Sequence, residues 1–152
     1  MATKLVMENA RIGFRNFRGE ASKFNPPGSR NFCVFLDSET ADRLIRDGWN
    51  VRHLTPKDPE DEAQAYMQVA VRYEPKVPNI ILITKHGKQR LDEESVSSLD
   101  WAEIESVDLI INPSNWEVQG KKGVKAYCQS LYVKIVQDEF ADKYHELPEH
   151  NG

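Results

Sequence analysis

A chain of 152 residues, 39% of them hydrophobic, has the length of one domain and enough material to bury a core without metal or disulfide support. No apolar run approaches the ~18–20 residues that cross a bilayer as a helix, and the N-terminal residues lack the long apolar stretch of a signal peptide. The expected compartment is therefore the cytoplasm. With a net charge of −4, any affinity for a polyanion has to come from local charge.

In chain order, residues 5–17 have the composition of a long strand. Strict alternation would turn Ile12 and Phe14 one way and Arg11, Gly13, Arg15 and Phe17 the other. The connector 18–29 carries Pro26-Pro27-Gly28, which has to turn, and Arg18, Lys23 and Phe24 ride on it. Residues 30–36 form a second strand, apolar on both faces. Asp37-Ser38 offers cap chemistry for a helix to about Asp47, with Ala41, Leu44 and Ile45 at helical spacing and Gly48 as its stop. The acid-rich turn 55–62 follows. Residues 64–73 alternate again, with Tyr66, Gln68, Ala70 and Arg72 on one side.

Beyond Pro75 and Pro78, residues 79–84 are a dense apolar run, and Lys85-His86-Gly87-Lys88 reads as a hairpin tip. Residues 92–100 suit one or two helical turns anchored by Leu99 and Trp101. Residues 105–112 predict a strand that bends at Pro113-Ser114-Asn115 and resumes through Trp116. A glycine-bracketed turn, with Lys121 and Lys122 at its tip, leads into a long final strand over 124–136. Residues 137–152 are acidic and apolar-poor, and are expected to form a mobile tail after the 1–136 domain. The expected fold is mainly β: an OB-like antiparallel barrel of five to six strands with one inserted helix and a possible second short one.

Chemistry is concentrated at the N-terminal end. Residues 1–36 hold six Lys or Arg against two acids. Cations interleaved with aromatics suit single-stranded nucleic acid, whose phosphates need charge and whose bases need flat partners. The candidate contacts for the phosphates are Arg11, Arg15, Arg18, Lys23, Arg30, Arg72, Lys121, Lys122 and Lys125. The candidate stacking platforms are Phe17, Phe24, Tyr66, Trp116 and Tyr127. Any one arginine beside a phenylalanine is more often a solvated cation over a core ring, so only the combination points to a site. Trp101 suits the core, Trp49 either staples the helix or lines a groove, and Trp116 has equal structural and functional claims.

Other chemistries find little support. Cys33 and Cys128 fall inside strands and read as small buried hydrophobes, and the four histidines have no ligand-like spacing. No paired carboxylates form a recognisable metal-dependent motif, so neither a nuclease nor any other enzyme is expected, and no cofactor. A protein-interaction barrel with incidental DNA affinity is the remaining alternative.

The strings NARIGFRNF, SRNFCVFL, DGWNV and LDWAEIESVDLIINPSNWEVQGKKGVKAY resemble those of tailed-bacteriophage single-stranded DNA-binding proteins across most of residues 8–136. The resemblance implies an OB-fold, protection of single strands during phage replication or recombination in the host cytoplasm, and no catalytic residues. The acidic tail reads either as a solubilising end, the commoner case, or as a competitor for the basic groove and a docking strip for replication or recombination partners. Many proteins of this family end in an acidic tail whose last residue is a hydrophobic anchor for partners. The tail here ends Glu149-His150-Asn151-Gly152, without a terminal hydrophobic anchor. Self-association as a homo-oligomer is left open.

Overall fold

The computed structural model describes residues 2–23 and 25–136; the acidic tail and Phe24 lie outside the described residues. The strands are β1 (Leu5–Met7), β2 (Arg11–Asn16), β3 (Arg30–Leu36), β4 (Val51–Leu54), β5 (Gln64–Val71), β6 (Asn79–Thr84), β7 (Gly87–Arg90), β8 (Ile104–Val118) and β9 (Lys121–Ile135). One α-helix, α1 (Ser38–Arg46), and one 3-10 turn (Val96–Asp100) complete the described elements. The fold is mainly β with a single helix in an open mixed sheet, consistent with an OB-like architecture.

The sheet order is β1-β8-β9-β5-β3-β2, with β4 added to β5 and the β6–β7 hairpin added to β9. Nine described strands replace the expected five or six. Pairing is not wholly antiparallel either, because β9 runs parallel to β5 and to β6. The expected first strand also divides, into β1 and β2. Asn9 takes a positive φ of 52°, and its N–H donates to the Asp108 carboxylate at 3.1 Å, tying the break to β8.

One edge of β5 belongs entirely to β3. The opposite edge is shared: β4 covers it from Leu54↔Gln64 to Val51↔Met67, and β9 takes over at Val69↔Ala126. Between these partners, at Gln68, the edge has neither. This handover opens a notch in the sheet.

The inward faces make one core. Phe32, Val34 and Leu36 meet Met67, Val69 and Val71, and Leu109, Ile111, Leu131 and Val133 close the other side. The helix begins where the Asp37 carboxylate accepts the Thr40 N–H at 2.7 Å, and it buries Ala41 and Leu44. Removing a side chain such as Leu44 from water contributes about 1.5–3 kcal/mol. Trp49 is buried beneath this corner, where its neighbour Gly48 accepts the Val124 N–H at 3.0 Å.

Candidate nucleic-acid interface

The side chains that face away from the core on β2, β3, β5 and β9 form the candidate surface. At one end, Arg11 lies over the Phe35 ring at 5.6 Å, and Phe14 packs against Phe35 and Tyr66 at 5.9 and 5.8 Å between centroids. Gly13 permits this: a Cβ there would sit 2.7 Å from the Phe35 ring. Tyr66, Gln68 and Ala70 follow along β5 by strand alternation, with Arg72 just beyond its end, leading from this cluster past the notch.

At the far end, Tyr127 is the register partner of Ala70. Its ring is shared by two cations, with the Arg72 guanidinium 6.0 Å and the Lys125 ammonium 5.3 Å from its centroid. Neither cation has an ion-pair partner among the described residues. Cation over ring is the arrangement that grips a backbone while offering a base a flat surface.

Three cavities share lining residues along this face. The notch, about 340 Å³, lies between connector residues Asn25 and Pro26 and the β8–β9 arm, with Gln68 and Ala70 as floor. A second, about 530 Å³, shares Ser29, Ala70 and Lys125 with it and is lined further by Arg30, Arg72 and Tyr73. A third, about 320 Å³, shares Arg72 and Glu74 with the second and includes Tyr127. The connector forms a preorganised lip. Gly28 N–H donates to Gly19 O at 2.8 Å, an approach so close that a Cβ on Gly19 would meet Gly28 backbone at 2.9 Å. The Asn25 amide donates to Glu20 O and Ser29 O, both at 2.9 Å.

Trp116 projects from the arm onto the notch, 43% exposed, with its ring over Gly123, where a Cβ would be 2.8 Å away. The arm turns through Gln119 and Gly120, both at positive φ (51° and 80°), the two-residue geometry that matches strand twist. Register sets Lys121, Trp116 and Lys125 on one face, while Lys122 pairs with Glu117 on the other.

Several candidate residues stand elsewhere than expected. Phe17 is wholly buried and stacks on Phe32 at 5.2 Å, so neither face of its ring is open to a base. The cause is a bulge: pairing with β3 shifts between Gly13 and Asn16, and Phe14 takes a φ of 47°. One extra residue reverses the alternation, exposing Phe14 and sending Phe17 inward. Arg15 is also drawn away, donating to Leu99 O and Ala102 O at 2.7 Å each.

Arg18 pairs with Glu20 and lies 4.9 Å from the Trp101 ring, which is 67% exposed rather than in the core. Asp100 reinforces this corner, accepting the Phe17 and Arg18 N–H groups at 2.7 and 3.1 Å. Arg30 pairs with Glu93 at 3.4 Å and lines the second cavity beneath the lip. Lys23 is exposed on the connector. Phe14 and Phe35 were not among the candidates. The one sequence signal for them is Gly13, a residue without a side chain just where a ring needs room.

The remaining chemistry is quiet. Burial pushes the Cys128 thiol up to about 12 and the Cys33 thiol up to about 11, the latter opposed by Arg52, so both are uncharged at neutral pH. Among the described residues no group of three His, Cys, Asp or Glu side chains is disposed to hold a metal, and no helix is long and apolar enough to cross a membrane.

Comparison with known proteins adds to this geometry. The fold is similar to that of the single-stranded DNA-binding protein from bacteriophage Enc34 in complex with ssDNA, at 12% identity and a TM-score of 0.59, covering 91% of this chain and 89% of that one. The C-terminal truncation of the Enc34 protein gives 11% identity and a TM-score of 0.57, over 90% and 88% of the two chains. The gp2.5 single-stranded DNA-binding protein of bacteriophage T7 aligns over 98% and 97% at 10% identity, but its TM-score of 0.42 is too low to inform the fold. No curated protein matches in sequence. Residues 1–152 as a whole match the phage ssDNA-binding domain, and the chain belongs to that family.

Proposed function

We propose that this protein binds single-stranded DNA along the outer face of β2, β3, β5 and β9, protecting it during phage replication or recombination, and that it does so without catalysis. One observation carries the reading. The outer face carries one cation–ring cluster of Arg11, Phe14, Phe35 and Tyr66 and a second of Arg72, Lys125 and Tyr127, with Gln68 and Ala70 of β5 between them. Family membership and the likeness of fold to phage proteins that hold ssDNA support it.

Arg11, Arg72, Lys121 and Lys125 meet phosphates, with Lys23 contributing from the lip and Arg30 only by giving up its Glu93 partner. Tyr66, Phe14, Tyr127 and Trp116 stack bases, each worth ~1–3 kcal/mol and available to any base. Lys122, opposite Glu117, adds charge from the far side of the arm. Arg15 and Arg18, already engaged by the protein, shape the lip from behind.

The test is a tryptophan-fluorescence titration with oligo-dT at low and high salt. Binding should be tight at low salt and should fall with a slope of about −0.7 per phosphate contact in log–log form. No binding at low salt removes the proposal. Affinity that ignores salt favours the rival reading, a protein-docking barrel, to which exposed Trp101 and Val118 lend themselves.

A further inference from the structure

We propose that the cleft beside Tyr127 takes one unstacked nucleobase and reads its edge through the side-chain amides of Asn112 and Gln129, giving the DNA face a base preference at one position. This goes beyond sequence-tolerant stacking and rests on the single-stranded DNA reading above.

Three independent features point to it. The first is shape. The cleft holds about 320 Å³, at the lower end of the ~300–1,000 Å³ typical of small-ligand sites, and its walls include the Tyr127 ring with Pro75 and Pro78. It shares Arg72 with the neighbouring cavity, so a backbone held at Arg72 stands at its mouth.

The second is a bulge. Ile110 pairs with Ser130 and Ile111 with Cys128, leaving Gln129 as an extra residue on β9. Gln129 lines the cleft together with Asn112, which is the register partner of Tyr127. A bulge re-aims a side chain at the cost of a ladder position, and here the side chain it places is a long amide.

The third is vacancy of bonding. Neither the Asn112 nor the Gln129 side-chain amide makes a hydrogen bond with other described residues, though both are half-buried. Each carries one acceptor and two donors. With their backbone positions set by the register beside a stacking ring, the two amides offer donors and acceptors to a base. A base whose edge mismatches them displaces their water without replacing its hydrogen bonds.

The experiment compares the full chain with Asn112→Ala/Gln129→Ala against oligo-dT, oligo-dC and oligo-dA. Every nucleotide in a homopolymer is the same, so sliding of register does not blur the readout. In the wild type one homopolymer should bind at least about fivefold tighter than another, and the double variant should shrink that ratio by about fivefold. The salt slope should be unchanged, because the phosphate contacts remain. The single variants Asn112→Ala and Gln129→Ala should each remove part of the preference, which keeps the test decisive if the double variant melts early. Equal affinities across the three homopolymers in the wild type overturn the proposal. So does a double variant that weakens all three alike. If the wild type binds none of them at low salt, the DNA reading itself has failed and the pocket falls with it. Binding without preference removes the pocket alone.

Discussion

Two cationic regions of this chain use their charges in opposite ways. In the N-terminal segment, where six Lys or Arg face only two acids, the protein occupies most of the guanidinium groups. Arg15 serves two carbonyls, Arg18 a glutamate and an indole, and Arg30 a glutamate and a ring. In the β5–β9 region the charges are fewer, yet among the described residues Arg72 and Lys125 pair with no carboxylate and lie over the Tyr127 ring. Charge density along the sequence therefore measures supply, and the tertiary partners decide how much is left for a ligand. A guanidinium already bonded to carbonyls would forfeit those bonds to meet a phosphate.

Pairs of substitutions across the two regions test that contrast. The largest effect belongs to Phe17→Ala, which should cost ~3–5 kcal/mol of folding stability in denaturant melts while leaving the ssDNA affinity of the folded protein unchanged. An affinity that falls without loss of stability would return Phe17 to the site. The matching change, Tyr127→Ala, should do the reverse, weakening ssDNA by ~1–3 kcal/mol, or roughly 5- to 150-fold.

Charge gives the second pair. Arg72→Glu/Lys125→Glu should reduce affinity on the order of a hundredfold at low salt and flatten the log–log salt slope by roughly 1.4, the share of two phosphate contacts. Arg15→Met should instead cost about 2 kcal/mol of stability through two lost charged hydrogen bonds, with the salt slope intact. Equal slopes in the two variants would break the distinction between engaged and available cations.

The smallest expected effect is acid sensitivity at two capped turns. The Thr40 backbone N–H holds the Asp37 carboxyl below its ordinary value, and the Ser95 hydroxyl and N–H do the same for Asp92. A depressed folded-state pKa means the stabilisation is present at neutral pH and is lost as pH falls below about 3.8 and through the lower folded value. Asp37→Asn/Asp92→Asn should flatten that part of a stability–pH curve, read by thermal melts between pH 2 and 5 (roughly the carboxylate range). A curve identical to the wild type would show that other carboxylates govern it.

The sequence by itself determined the strand-rich class, the single helix with its Asp37 cap, the outward row Tyr66–Gln68–Ala70–Arg72, and the hairpin of β8 and β9. Each follows from local pattern: alternation, capping chemistry, or a glycine-bracketed turn. The tertiary structure decided what local pattern leaves open. The bulge at Phe14 exchanged the fates of Phe14 and Phe17, because a single added residue inverts every later side chain and strict alternation has no means of announcing it. The handover between β4 and β9 on one edge of β5 made the notch, and it joins segments more than fifty residues apart. Trp101 went to the surface beneath Arg18 instead of into the core, since an apolar neighbourhood in sequence is silent about which side of a short turn faces solvent.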